Sequence, residues 1–428
     1  REDWAARRFD AVRASLAQVM RSEEVPPQGR SYAHLRTAQS YEAEGKPQLA
    51  RAEYARIAET AGYPEVHREE ARQRIAELDR AARGLPPRDP TASRTRVPPI
   101  KQFAAELFVA PSGNDRNDGS ARRPVASLLR ARDLVRQVRA KGVRGPIAVN
   151  VLPGEYRVTN TLALTAEDSG STGGPVVYRA VAPGKAVFYG GTRLRGFEVV
   201  TDPDVLRRLP EEARGKVMRC DLRAQGITDY GRLAVRGFAQ PPAPPTLELF
   251  VDGQPMTLAR WPNTGFVGIA RLIEPGSKPE GKPSVFQYLD DRHARWTEAE
   301  DLWLFGYFRY LWADATIKVA RIDPAARTVT TEEAYHYGQP GMDNGQGIQY
   351  YAFNLIEEMD QPGEWYLDRK KGVLCLYPPT NLANATVEIG MFAAPMVTMN
   401  GVSDVRFEGL TFDLGRYHGI VAEDCRRC

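Results

Sequence analysis

Cysteine and histidine are scarce in this chain, and apolar runs are short. Its 428 residues contain four cysteines and five histidines. Four cysteines spread over such a length do not make a disulfide scaffold, and they do not indicate a reducing compartment. No apolar run approaches the roughly 18–20 residues that a membrane-spanning helix needs. No HExxH or comparable ligand spacing exists for zinc, and no GxSxG exists for a serine nucleophile. The glycines at 113, 119, 170, 173 and 174 do not form a phosphate-binding pattern between a strand and a helix. Net charge is only +4, with Arg and Lys interleaved with Asp and Glu, so a nucleic-acid partner has no support. The pair Cys425 and Cys428 lacks a second pair and a histidine cluster, and reads as small residues in a strand-rich segment. The chain begins with Arg and carries no signal peptide, so the expectation is that the natural N-terminus lies further upstream.

The composition changes along the chain. Residues 1–83 carry helical periodicity. Trp4, Phe9, Val12, Leu16 and Val19 fall at three- and four-residue spacings, and Tyr32, Leu35, Ala38 and Tyr41 form a second stripe. Pro47 and Pro64 open two further helices. The pair spanning 32–61 resembles a tetratricopeptide repeat, with small residues at Ala38, Ala50 and Ala58 and aromatics at Tyr41 and Tyr54. Such a segment is expected to dock a protein partner. Residues 84–105 are a proline-rich linker, opening with GLPPRDPTASRTRVPP.

From residue 106 the chain reads as β. The turn DRNDG at 115–119 alternates Asp, Asn and Gly, but its glycine falls at position five and no Glu stands at twelve, so a polar turn is expected, not a calcium loop. One amphipathic helix is expected over 126–140. Short Val- and Tyr-rich strands follow at 147–152, 156–158, 161–165, 176–180 and 186–189, separated by Gly and Pro. Between 192 and 395 the spacing lengthens and aromatics multiply. Asp252-Gly253 and Lys371-Gly372 mark hairpin turns there. At 396–428 short strands resume, and Val397 and Ile420 stand 23 residues apart as matching apolar positions.

Several of these elements are shared with one architecture: SGND…DG at 112–119, the helix near 126–139, PGEY at 153–156, EDSG at 167–170 and YGG at 189–191. They resemble the opening of right-handed parallel β-helix proteins related to the pectate-lyase fold, many of which act on carbohydrates. VDGQPMTLARWPN and EEMDQPGEWYLDRKKGVLCLYPP resemble an insertion found in some of these proteins. The resemblance implies a truncated β-helix solenoid. Its cap and first coils occupy 106–191, an inserted β-sandwich-like domain occupies 192–395, and resumed coils occupy 396–428. A solenoid exposes its last coil unless something covers it, so the chain is expected to continue past Cys428.

The same resemblance implies an extracytoplasmic glycoside hydrolase acting on a polysaccharide or oligosaccharide through two carboxylates. Equivalent side chains on adjacent parallel strands stand about 4.8 Å apart. Pairs at ~5–5.5 Å suit retention and pairs at ~6.5–9.5 Å suit inversion. In members of the group with assigned acids, these lie on later coils. Within this chain Asp413, His418 and Glu423 are the catalytic candidates. Aromatic rings stack on pyranose faces while Arg and carboxylates take hydroxyls. Arg260, Trp261, Asn263, Trp312, Asp360 and Glu364 are therefore the candidate substrate contacts. Two other functions stay open: a polysaccharide lyase on uronate glycans, the only case in which calcium is expected as a cofactor, and a non-catalytic glycan-binding or scaffold protein. Substrate sugar, linkage and oligomeric state are not legible from the residues.

Overall fold

The computed structural model describes residues 2–94, 97–243, 246–339 and 347–428. The expected linker and insertion therefore lie partly outside the described residues. The chain forms two compact units, Arg1–Pro99 and Ile100–Cys428.

The first unit is helical. Helices Pro27–Ala43 and Pro47–Glu59 each begin on a proline, whose fixed φ and missing N–H suit the first helical position. Leu35, Ala38, Ala50, Tyr54, Ile57 and Ala71 form its core. The tetratricopeptide-like repeat over 32–61 is not supported. Tyr32, placed on the second apolar stripe, is 56% exposed. The helices pack mainly in chain order, with Pro27–Ala43 also touching Glu65–Ala82, and small residues such as Ala38 and Ala50 let the axes approach.

The second unit departs from the fold class expected of it. A right-handed parallel β-helix solenoid with an inserted β-sandwich is not what the chain forms. Its parallel pairing lies mainly in three short sheets of four, three and three strands, with one further parallel pair between Thr257–Leu258 and Glu364–Asp368, and its largest sheet is antiparallel. The four-stranded parallel sheet joins Ala105–Val109, Ile147–Val151, Val176–Ala180 and Val405–Glu408. Gly154–Arg157, Ala186–Tyr189 and Leu410–Asp413 make the second, and Leu162–Leu164, Val397–Asn400 and Ile420–Glu423 the third. Val397 and Ile420 are register partners. Parallel register places like residues over one another. Tyr156, Phe188 and Phe412 thus stack with ring centroids 5.0 and 5.4 Å apart.

In place of a sandwich, the segment from 267 to 353 closes into a six-stranded antiparallel barrel. Two long strands cause the closure by changing partners midway. Val267 and Gly268 pair with Gln349–Phe353, whereas Ile269–Glu274 pair with Val285–Tyr288. Asp314–Lys318 pair with Trp303–Tyr307, whereas Val319–Asp323 pair with Thr328–Thr331. Both pairings contain register irregularities, and a bulge bends a strand and increases its twist. The remaining pairings, of Val285–Tyr288 with Thr328–Thr331 and of Trp303–Tyr307 with Gln349–Phe353, complete the ring. Phe286, Leu304, Phe308, Ile317, Tyr350 and Trp296 fill the interior. The sequence reading missed the closure because bulges carry no periodic signal.

Helix Leu128–Ala140 forms as expected and is N-capped by Ser127, whose hydroxyl accepts from the Arg130 N–H. Asp115 of the polar turn accepts from the Ala126 and Ser127 N–H groups and the Ser127 hydroxyl. That carboxylate is therefore spent on positioning the helix. Lower down, Arg136 donates two 2.7 Å bonds to Asp168 of the EDSG segment, which is 4% exposed. Removing one partner of such a pair strands the other. Asp168→Ala should lower unfolding free energy by about 2–4 kcal/mol in chemical denaturation. Glu167→Ala, which removes a mostly exposed carboxylate beside the same arginine, should change it by less than about 0.5 kcal/mol.

Candidate functional site: an aromatic platform on the barrel

Strand Trp303–Tyr307 alternates from Leu304 onward. Leu304 and Gly306 face the barrel interior and Phe305 and Tyr307 face out. Gly306 is required by close approach, since a Cβ there would lie 2.1 Å from the Gln349 carbonyl oxygen. The strand ends in the turn 308–313, anchored from below by Phe308, which is fully buried against Tyr335. The Tyr335 hydroxyl donates to the Ala313 carbonyl at 3.1 Å and closes the far side. With both ends held, the intervening Tyr310 and Trp312 project outward, two residues apart.

Their rings stack nearly parallel, with centroids 5.0 Å apart at 12°, so Tyr310 backs one face of the Trp312 indole. Trp312 is 59% exposed. Phe238 meets Trp312 edge-on at 5.1 Å and is 47% exposed. Tyr337 stands edge-on to both Tyr310 and Trp312, and the Arg309 guanidinium lies 5.2 Å from the Tyr310 ring centre. The indole stays open because Phe308 already fills the space beneath the turn. Flat apolar faces with polar groups at the edges match the face of a pyranose ring.

The other residues singled out in the sequence are placed differently. Arg260 and Trp261 are consecutive on a short strand and point to opposite faces. The Arg260 guanidinium stacks 3.5 Å over Tyr351 on the outside of the barrel and donates to the carbonyls of Pro262 and Gly265. Trp261 turns inward against His293 and Trp296, at 5.4 and 5.7 Å. Asn263 and Asp360, 97 residues apart, meet through a 2.7 Å bond from the Asn263 amide. Arg292, which the sequence reading missed, holds the other Asp360 oxygen at 3.0 Å and reaches Glu358 at 2.6 Å. Glu358 also accepts from the Trp296 indole N–H at 2.6 Å, and burial raises its carboxyl above the usual range. His293 is fully buried, its ring stacked on Tyr288 at 4.4 Å. Burial pushes its pKa down to about 4, so the neutral ring accepts from the Tyr350 hydroxyl and donates through Nδ1 to the Asp290 carbonyl. Nothing in local sequence signals this network, because its members come from segments joined only by barrel closure.

Glu364 is 1% exposed and accepts three backbone N–H bonds, from Arg260, Asp360 and Gln361. Burial dominates these bonds and raises its pKa to about 7. Glu364 thus ties the 260 strand to the 360 turn from within the protein.

Asp413, His418 and Glu423 stand on or between the last two strands, and all three are exposed. Asp413 is in register with Tyr189, whose hydroxyl donates to Glu388 at 2.9 Å. Arg193 bridges Glu388, at 3.2 Å, and Glu155, at 2.7 Å. Glu388 and Glu155, on strands of different sheets, were not singled out in the sequence. The His418 carbonyl accepts from the Met396 N–H, and its ring lies 4.2 Å from Tyr417. Glu423 is in register with Asn400, in a sheet other than that of Asp413. Among the described residues no group of His, Cys, Asp and Glu has the arrangement of a metal centre.

No protein family's sequence profile and no curated protein matches the chain. Among solved structures, one named "Glycoside hydrolase" aligns with a TM-score of 0.54 at 23% identity, over 73% of this chain and 51% of its own. A complex of XylC with xylose aligns at TM-score 0.31 and 12% identity, over 73% of this chain and 36% of that one. A rhamnogalacturonan lyase aligns at TM-score 0.16 and 21% identity, over 20% of this chain and 22% of that one. Only the first is close enough to bear on the fold, and this chain spans about half of its length.

The raised Glu364 carboxyl has a consequence for stability. Between about pH 4.5 and 7 the unfolded chain releases this proton while the folded chain keeps it, so stability falls as pH rises through that window. Glu364→Gln, which cannot ionise, should flatten this part of the profile when melting temperature is followed from pH 4 to 8. An unchanged slope would exclude Glu364 as the titrating group.

Proposed function

We propose that the chain is part of a carbohydrate-active protein that hydrolyses glycosidic bonds in a polysaccharide or oligosaccharide. The barrel holds the sugar on the Tyr310–Trp312 platform. The observation that carries this reading is the exposure of Trp312, stacked on Tyr310 and walled by Phe238 and Tyr337. The likeness in fold to a structure named a glycoside hydrolase supports it.

Hydrolysis needs one carboxyl to protonate the leaving oxygen and a second to act as nucleophile or to activate water. Asp413 is the proposed participant from this chain; it is in register with Tyr189, whose hydroxyl donates to Glu388, which Arg193 joins to Glu155. His418 and Glu423 are proposed as contacts flanking it. The protein is proposed to work outside the cytoplasm, where polysaccharides are met. Among the described residues no helix is long and apolar enough to cross a membrane.

The test is retention in native gels containing soluble xylan, β-glucan, galactomannan or polygalacturonate. Trp312→Ala should weaken retention at least tenfold, equivalent to about 1.4 kcal/mol. It should leave the melting temperature nearly unchanged, since the ring is mostly in solvent. Retention of none of these glycans, or retention indifferent to Trp312→Ala, overturns the platform. Product analysis on the retained glycan then separates hydrolysis (new reducing ends), elimination (unsaturated ends) and binding without turnover.

A further inference from the structure

A second feature lies away from the platform. Helix Pro203–Arg208 is N-capped by Asp202 and ends on two consecutive arginines. Arg207 turns to solvent and forms a two-bond pair with Glu298, at 2.7 and 2.8 Å. Arg208 turns inward, and its Nε donates to Glu357 Oε1 at 2.7 Å. Glu357 is 2% exposed, yet its second oxygen, Oε2, has no hydrogen-bond partner among the described residues, and neither does Arg208 Nη2. A buried acceptor and a buried donor side by side, both unsatisfied, are costly and call for an occupant.

Both residues line a cleft of about 340 Å³ whose other charged residues are Arg207, Glu211, Arg214, Arg295 and Glu298. Arg295 donates to the Glu357 carbonyl at 2.9 Å, and Arg214 only weakly to the Leu209 carbonyl at 3.5 Å. Neither has a carboxylate partner among the described residues. Four arginines against three glutamates leave a single positive charge in excess. That balance suits a monovalent carboxylate better than a dianionic phosphate, which the three glutamates repel. The orphan acceptor and donor together suit a hydroxyl, which donates to one and accepts from the other.

We infer that this cleft binds a carboxylated sugar residue, its carboxylate on Arg214 and Arg295 and a hydroxyl between Glu357 Oε2 and Arg208 Nη2. The assignment rests on the carbohydrate reading above and narrows it to acidic glycans. The orphan atoms lie just beneath the cleft surface. The Arg207–Glu298 pair on the same cleft is 58% and 51% exposed and therefore weakly held.

Calorimetric titration of the whole chain with trigalacturonate, against xylotriose as the uncharged control, tests the inference. Trigalacturonate should bind, and the double variant Arg214→Ala/Arg295→Ala should weaken it at least tenfold while leaving xylotriose unaffected. Glu357→Gln should also weaken trigalacturonate. Because that position is buried, the exposed arginine variants decide the matter if it fails to fold. Absence of trigalacturonate binding, or binding indifferent to the arginine substitutions, overturns the assignment. So does full displacement by equimolar inorganic phosphate, which would mark a plain anion site. Gel retention that depends on Trp312, measured in parallel, keeps the two readings apart. If it persists while the titration fails, only the acidic-sugar assignment falls. If it is absent, the carbohydrate reading falls with it.

Discussion

Barrel closure is the constraint on which the other features of the second unit depend. Val267–Glu274 and Asp314–Asp323 must each serve two neighbours, and each does so by bending at an irregularity in its ladder. A flat sheet of these strands would leave two edges of unpaired N–H and C=O groups, which closure removes. The ring then has an inside too small for every aromatic it carries. Phe286, Phe308, Tyr350 and Trp296 fill it, and the residues alternating with them must face outward. The Tyr310–Trp312 surface is the visible result, held open because Phe308 already occupies the space beneath the turn.

Closure also explains where the buried polar groups sit. Arg292, Glu358 and Asp360 are brought together at one end of the barrel and satisfy one another, with Asn263 and the Trp296 indole completing the set. Glu364 is satisfied by backbone N–H groups alone and keeps a raised pKa because water is excluded. The Arg208–Glu357 pair is the contrast. It has the same composition as its neighbours but, among the described residues, one unsatisfied atom on each partner, at the edge of a cleft. A network that satisfies itself is structural support, whereas one that leaves a donor and an acceptor open has room for a ligand.

The resemblance read from the motifs implied more regularity than the chain has. PGEY and YGG fall on or beside strands of the three-stranded parallel sheet containing Leu410–Asp413, and EDSG supplies the partner of Arg136, so each motif marks a real local structure. A motif of four residues nonetheless reports a turn and a register, not how many strands stack upon it. The solenoid and the sandwich were extrapolations from such local signals. The contacts assigned to substrate suffered likewise, since adjacency in ARWPN places Arg260 and Trp261 on opposite faces of one strand.

What the sequence by itself determined is local. Proline-started helices, the Asp252-Gly253 turn with both residues at positive φ, the capped helix at 128–140 and the 23-residue match of Val397 with Ile420 follow from backbone sterics and apolar spacing. Only the tertiary structure decided that Trp312 is open while Trp261 and Trp296 are enclosed, and that Asn263 meets Asp360. It alone left Glu357 buried with a free oxygen. These outcomes depend on which strands become neighbours after two bulged strands exchange partners. That choice is made by pairing across dozens of residues, and no window of sequence contains it.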